Sequence, residues 1–155
     1  MITEFKRLTD QETELLMKAP ILVCILIAGA DGTIDRKEIQ EAIRYAEKKH
    51  KRTTTAVAQV FKDLATDFED KFKIILQAYP YESTQRSPLL VEELSGLNAL
   101  WSKVDEAFAK EFYTTLKEIA AHIASSSGGI LGYNSVGSEE AQYIELSMIE
   151  NPAKN

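Results

Sequence analysis

An apolar run over residues 19–30, A-P-I-L-V-C-I-L-I-A-G-A, constrains the fold of this chain most strongly because it holds no charged side chain. About twelve residues are too few for a membrane-spanning helix, which requires about 20. A helix that is apolar on every side has to be covered on every side. The run therefore predicts a central buried helix and no membrane insertion, while peripheral association with a membrane stays open.

Most of the other apolar residues recur at the 3.6-residue spacing of amphipathic helices, and no segment alternates with period two. Capping patterns and prolines set the predicted helix ends. The predicted helices cover residues 10–18, 20 to the region of 29–32, 36 to the basic residues 48–52, 53–79 with a break at Asp67, 88–101, 105–125 and 138–150. Residues 82–87 are predicted to be a polar connection and residues 151–155 a trailing tail.

The chain has 155 residues, of which 45% are apolar and 27% charged. These values suit one all-α domain over residues 1–155, a helical bundle of about six to eight helices. A net charge of −6 supplies no basic surface for a polyanion, so nucleic-acid binding is disfavoured. The lone Cys24 allows no disulfide within the chain, and the N-terminal residues M-I-T-E-F lack the pattern of a signal peptide. We therefore expect a cytoplasmic protein.

Three acidic residues follow the apolar run closely: Asp31, Asp35 and Glu38. Hard divalent cations prefer several carboxylate or carbonyl oxygens, so one interpretation is a metal site. The other interpretation is structural, because Asp35 and Glu38 fit a helix N-terminus and Asp31 precedes a glycine in ordinary turn chemistry. A complete EF-hand is disfavoured because Ile27 and a glycine would occupy its first and third ligand positions.

The helix–loop–helix pattern around these acids has a counterpart late in the chain. Residues 123–140 run I-A-S-S-S-G-G-I-L-G-Y-N-S-V-G-S-E-E, with a serine and a glycine opposite the two aspartates of the first loop. Two such units predict pseudo-twofold helix–loop–helix repeats. In that arrangement Glu139 or Glu140 would complete the metal site.

Residues 27–38, together with the segment S-G-G-I-L-G at residues 127–132 and the Glu-bearing closing helix, resemble the tellurite-resistance TerB-like family in order and spacing. The resemblance implies a helical fold, a role in tellurite resistance and in phage or stress responses of bacteria, and metal binding at the two loops. A related module occurs in membrane-bound J-domain co-chaperones, which implies protein–protein contacts, and no enzymatic activity is established for the fold. The implied metal ligands are Asp31, Asp35, Glu38, Glu139 and Glu140.

No other segment carries a recognisable catalytic or cofactor-binding pattern. We expect Cys24 to be a small buried hydrophobe, His50 a helix-end residue, and Glu118 with His122 a solvated or hydrogen-bonded pair. The predicted function is a non-enzymatic stress-response interaction module, with an unidentified protein partner or self-association and a divalent metal as its candidate cofactor. The alternatives are a metal-dependent enzyme acting on a small molecule and a structural homodimer subunit.

Overall fold

The computed structural model describes residues 5–30, 34–50, 55–128 and 143–154, without the side chains of residues 126–128 and 154. These residues form six α-helices with short 3₁₀ segments, and they contain no β-strand. The bounds are α1 Asp10–Ala28, α2 Arg36–Lys49, α3 Ala56–Thr66, α4 Phe68–Gln77, α5 Ser83–Ser95, the 3₁₀ helix Gly96–Lys103, α6 Glu106–Gly128 and the 3₁₀ turn Pro152–Lys154. The prediction of an all-α helical bundle is confirmed.

Helix α1 lies at the centre of the bundle. Every side chain from Ala19 to Ala28 is buried. The helix contacts α2, α4, α5, α6 and the 3₁₀ helix, so it is covered on all sides. Within the described residues, no helix is both long and apolar enough to cross a membrane.

The predicted division of this region into two helices at Pro20 is wrong. Helix α1 is continuous and contains Pro20 in its interior. The proline has no N–H to donate to the carbonyl of Leu16, a defect that typically costs about 3 kcal/mol. Leu16 and the residues on both sides of Pro20 are buried. Burial of one uninterrupted apolar helix outweighs the local cost.

The predicted start of α2 and the predicted break at Asp67 agree with the structure, whereas the helices predicted over residues 53–79 cover Ala56–Thr66 and Phe68–Gln77. Asp35 caps α2, because its Oδ1 accepts hydrogen bonds from the backbone N of Lys37 at 2.9 Å and of Glu38 at 3.4 Å. Helices α3 and α4 meet at Asp67, the predicted break. Their buried face consists of Val57, Val60, Phe61, Leu64, Phe68 and Phe72.

Residues 82–87 are not the polar connection that we predicted. Helix α5 begins at Ser83 and contains Pro88 in its interior, and Arg86 and Ser87 are buried. The N–H that Pro88 lacks would have donated to the carbonyl of Thr84. Because Thr84 is exposed, water can satisfy that carbonyl. The helix can therefore include both the polar residues before Pro88 and the proline itself.

The C-terminal segment also differs from the prediction of a helix over residues 138–150 and a trailing tail. Residues 143–144 are helical, but residues 145–150 consist of turns and irregular backbone, and Leu146 has φ of 51°. Asn98 holds this segment on the 3₁₀ helix by donating to the carbonyl of Met148 at 3.0 Å and accepting from the N of Glu150 at 2.7 Å. The Nε1 of Trp101 donates to the carbonyl of Glu150 at 2.8 Å. Beyond it Pro152 is buried, and the 3₁₀ turn Pro152–Lys154 contacts α6, so the tail is docked up to residue 154.

Helix α6 continues to Gly128, three residues beyond the predicted end. The loop on which the pseudo-twofold repeat depends lies mostly at residues 129–142, outside the described residues. The repeat therefore stays a prediction.

The N-terminus of α1 is tied to the 3₁₀ helix by Glu12. Its Oε1 accepts from the N of Thr9 at 2.9 Å in the predicted capping box, and its Oε2 accepts from the Nζ of Lys103 at 2.6 Å. The hydrogen bond from Lys103, and after it the bond from Thr9, lower the pKa of Glu12 below its ordinary value. The charged form of Glu12 therefore stabilises the fold.

We expect Glu12→Gln to lower the thermal unfolding midpoint at about pH 7, where Glu12 is fully charged. Glutamine can still accept from Thr9, so the variant loses the charge and keeps the cap. Because the pKa is lowered on folding, the stabilisation is present above the ordinary Glu pKa of about 4.3 and is lost as the pH falls through the folded value. The difference between the midpoints of wild type and variant should thus shrink towards about pH 3.

Glu14→Gln on the same helix is the matched control. The Glu14 side chain is 71% exposed and lies 3.9 Å from Lys18, a geometry that contributes little. A midpoint difference for Glu12→Gln that is equal to this control, or independent of pH, would contradict the role assigned to Lys103.

Candidate functional site

The acidic loop leads directly into the N-terminus of α2. Asp35 is exposed and acts as the N-cap, as the structural interpretation predicted. Glu38, in the first turn of the helix, is partly buried, and its Oε1 is inaccessible to solvent. One acid therefore faces water, and the other has a carboxylate oxygen in the protein interior.

Two of the five predicted metal ligands, Asp35 and Glu38, belong to the part of the chain that the structure describes. Asp31, Glu139 and Glu140 lie outside it. Among the described residues, no group of three or more His, Cys, Asp or Glu side chains is close enough to hold a metal ion. The metal site of five acids thus stays a prediction that depends on the loops at residues 31–33 and 129–142.

Cys24 lies in the middle of the core. It is fully buried, and burial raises the pKa of its thiol, with a further increase from the negative charge of Glu38. A thiolate is the reactive form of cysteine, and here it is disfavoured. Cys24 therefore behaves as the buried hydrophobe that the sequence predicted.

The C-terminal end of α1 is held by Arg86 of α5, a residue that we did not predict. Its Nη2 donates to the carbonyl of Gly29 at 3.0 Å, and its Nη1 donates to the carbonyl of Tyr81 at 2.6 Å. The side chain is only 3% exposed, and burial lowers the pKa of the guanidinium. Arg86 therefore joins the end of α1 to the segment that precedes α5.

A cleft of about 790 Å³ opens beside this arginine. It lies between the start of α2, the length of α4, and the connection from α4 to α5. Its apolar and aromatic lining is Ile34, Phe72, Leu76, Tyr79, Pro80 and Tyr81. Tyr81 is 86% exposed at its mouth, whereas Phe72 is buried. The volume is within the usual range for small-molecule sites, about 300–1,000 Å³.

The charged residues that line the cleft include both cations and anions. The residues are Arg36, Glu69, Asp70, Lys73 and Arg86. Nη1 of Arg36 lies 3.2 Å from Oε2 of Glu69, and both side chains are more than half exposed. Arg86 is the buried charged residue of this lining, whereas the exposed charged residues of the lining include both cations and anions.

His50 is more than the helix-end residue that we predicted. It is 8% exposed; its Nε2 lies 3.2 Å from Oγ1 of Thr115, and its Nδ1 lies 3.1 Å from Oε2 of Glu111. Its ring stacks on Phe61. These contacts connect the end of α2 to α6 and α3. The imidazole has two nitrogens and a planar face, which lets one buried residue meet three elements.

The predicted pair of Glu118 and His122 contacts α2. Glu118 accepts from the Nζ of Lys49, and the His122 ring stacks on Tyr45 with the centroids 4.7 Å apart. Both side chains therefore contribute to the α2–α6 interface.

We expect Gly29→Ala to destabilise the protein by about 1–3 kcal/mol, the usual cost of overpacking. A Cβ at Gly29 would lie 2.6 Å from Nη2 of Arg86, 2.7 Å from the carbonyl O of Ile25 and 3.0 Å from Cγ1 of Ile34. The backbone oxygen cannot move without distorting α1. Chemical denaturation of the purified variant measures the loss.

Gly96→Ala is the control for this prediction. A Cβ there would meet only Cδ2 of Leu15, at 3.1 Å, and Gly96 has helical dihedrals with φ of −62°. Alanine should be neutral or stabilising by up to about 1 kcal/mol at that position. Equal effects at the two glycines would contradict the steric explanation.

Comparison with known proteins places the chain beside an archaeal relative. No protein-family model matches the chain, and no solved structure matches it significantly. A protein of Methanothermobacter thermautotrophicus described as uncharacterized protein ORF11' is 31% identical over 131 residues, and the match covers 82% of this chain and 82% of that protein. The chain therefore belongs to the same protein family as ORF11' of Methanothermobacter thermautotrophicus.

Proposed function

We propose that this protein is a non-enzymatic interaction module of the TerB-like type, acting in a cytoplasmic stress response and binding a divalent cation at the acidic loop. The observation that carries the proposal is the inward position of Glu38. Its Oε1 is buried, and its charge is close enough to Cys24 to raise the pKa of that thiol. A partly buried carboxylate in the first turn of α2, close in sequence to two further acids, favours a cation there.

Asp35 supports the proposal only if its capping role and its ligand role can be separated. Its Oδ1 is already engaged by backbone N–H groups at the start of α2. A carboxylate can accept further interactions, because two oxygens offer about four lone-pair positions. The cap and a metal contact are therefore compatible, and a change of stability alone does not distinguish them.

The pair of variants Asp35→Asn and Asp35→Ala separates the two roles. Asparagine is as good an N-cap as aspartate, whereas alanine typically costs about 1 kcal/mol. We expect Asp35→Asn to retain most of the metal-free stability and lose affinity for the cation, while Asp35→Ala loses both. Calorimetric titration with Ca²⁺, Mg²⁺, Mn²⁺ and Zn²⁺, alongside thermal unfolding in chelator, measures both properties.

Glu38→Gln and Glu41→Gln complete the experiment. Glu41 is exposed on the same helix, three residues further along, so its substitution controls for the loss of one negative charge. The metal proposal requires that Glu38→Gln weaken binding more than Glu41→Gln does. If wild type binds none of the four cations, or if all variants bind equally, the acids act as a turn and a cap only.

The interaction part of the proposal is supported by exposed apolar side chains near α4. Ile74 is 69% exposed and Tyr81 is 86% exposed. Large apolar groups in water, with an aromatic among them, are common in protein contact surfaces. The proposed partner is a protein or a second copy of this chain, and the mass in solution distinguishes self-association.

A metal-dependent enzyme is the second candidate, because a cleft adjoins the acidic loop. Ile34 and Arg36, the neighbours of Asp35 in sequence, line that cleft. An enzyme of this class keeps open coordination positions that face its substrate. Water-proton relaxation of bound Mn²⁺ measures how many water molecules occupy those positions. A decrease in that number when a small molecule occupies the cleft would favour the enzyme.

A further inference from the structure

Arg86 is a buried cation whose hydrogen-bond partners are backbone carbonyls. The negative charge of Glu82 acts on the guanidinium, but the described contacts contain no carboxylate within salt-bridge distance of it, and its solvent-inaccessible Nε has no hydrogen-bond partner among them. Two of the five N–H groups of the guanidinium are used by the carbonyls of Gly29 and Tyr81. The group is thus both buried and incompletely satisfied.

Joining these two carbonyls does not require a charge. A neutral donor such as an amide would serve the same carbonyls without the cost of removing a cation from water. Burial disfavours the charged form of Arg86, which lowers its pKa. The retained charge therefore has an explanation if an anion reaches the guanidinium from the cleft that Arg86 lines.

The charges around the cleft indicate how many negative charges such an anion carries. Three cationic side chains, Arg36, Lys73 and Arg86, face two anionic ones, Glu69 and Asp70, so the lining itself has one excess positive charge, while the negative charge of Glu82 acts on Arg86 from outside the lining. A monoanion balances this excess. A phosphate dianion would exceed it and would meet two carboxylates at the rim.

The remaining lining indicates what the anion is attached to. Phe72, Leu76 and Tyr79 form an apolar wall, and Tyr81 extends from the mouth into solvent. The volume of about 790 Å³ accommodates a small molecule. An aromatic or aliphatic body can pack on this wall while its charged end lies towards Arg86.

We infer that the cleft between α2, α4 and α5 binds a small organic monocarboxylate with an apolar body, whose carboxylate is the counter-ion of Arg86. This site adjoins the proposed metal site but does not depend on it, because its cation is supplied by the chain itself. The inference holds in the absence of a divalent metal. Its test is therefore done in buffer with chelator, where a failure of the metal proposal has no effect.

The first experiment uses the wild-type chain and two matched probes. Phenylacetate and phenylacetamide have nearly the same shape and differ in charge. Titration of ¹⁵N-labelled protein, followed by amide chemical shifts, should show saturable binding of phenylacetate with shifts around Leu76, Tyr79 and Tyr81. The acid should bind about tenfold or more tightly than the amide, and more tightly than phenyl phosphate, as expected for a charge-assisted hydrogen bond to a buried guanidinium.

Variants then assign the preference to this cleft. Arg86→Met should reduce the difference between the affinities for phenylacetate and phenylacetamide to about that of a site without a buried cation. Gln77→Glu adds a carboxylate at an exposed position of the lining, so it should weaken phenylacetate without weakening phenylacetamide and should leave the fold intact. Lys62→Gln, on the exposed side of α3 away from the cleft, is the control for a lost positive charge and should leave both affinities unchanged.

The outcomes are decisive even if Arg86→Met does not fold, since the wild-type comparison and Gln77→Glu remain. Equal binding of the acid and the amide would overturn the inference. That result is expected if a carboxylate from outside the described ranges, such as Asp31, already balances Arg86. Shifts confined to another surface, tighter binding of phenyl phosphate than of phenylacetate, or no saturable binding by any probe would overturn it as well.

Discussion

The burial of α1 on all sides is the constraint from which the remaining features follow. A helix in this position contributes apolar surface in every direction, and its burial accounts for a large part of the hydrophobic stabilisation that a chain of 155 residues can gain. It also deprives the backbone groups at the C-terminal end of the helix of free access to water. Because unpaired polar groups are costly in the interior, that end of α1 needs a hydrogen-bond partner from another element.

The backbone groups at the two ends of α1 find their hydrogen-bond partners by different means. At the N-terminus, Thr9 and Glu12 form a reciprocal capping box near the surface, and Lys103 completes it with a charge. At the C-terminus, the carbonyl of Gly29 lies inside the protein and receives a hydrogen bond from Arg86. The absence of a side chain at Gly29 lets the guanidinium approach so closely. The surface end thus uses local residues, and the interior end uses a residue 57 positions away in sequence.

The interior end of α1 is also where the candidate sites lie. The carboxylate of Glu38 acts on Cys24 in α1, and Arg86 acts on the last turn of the same helix. An anionic group of α2 and a cationic group of α5 therefore both act on the C-terminal half of α1. Groups placed on helices keep their positions better than groups placed on loops, which favours binding at this end of the bundle.

Much of this fold follows from local patterns in the sequence. The buried run, the capping box at Thr9, the cap at Asp35 and the break at Asp67 each depend on residues within one or two turns of each other, and the structure agrees with all four. The errors at Pro20 and in the segment before Pro88 have one cause. A proline costs a fixed local amount, whereas the benefit of continuing the helix comes from tertiary burial that no short window contains.

Arg86 was missed for a related reason. In sequence it stands among polar residues before a proline, which is the usual signature of a connection. A signal for its burial was nevertheless present, because Arg86, Leu90 and Leu94 recur at intervals of four and share the buried face of α5. A charged residue on a buried, apolar helical face destabilises the fold unless another group pairs with its charge. The periodicity of α5, extended backwards through Pro88, would thus have identified Arg86 as a cation on the buried face of this helix.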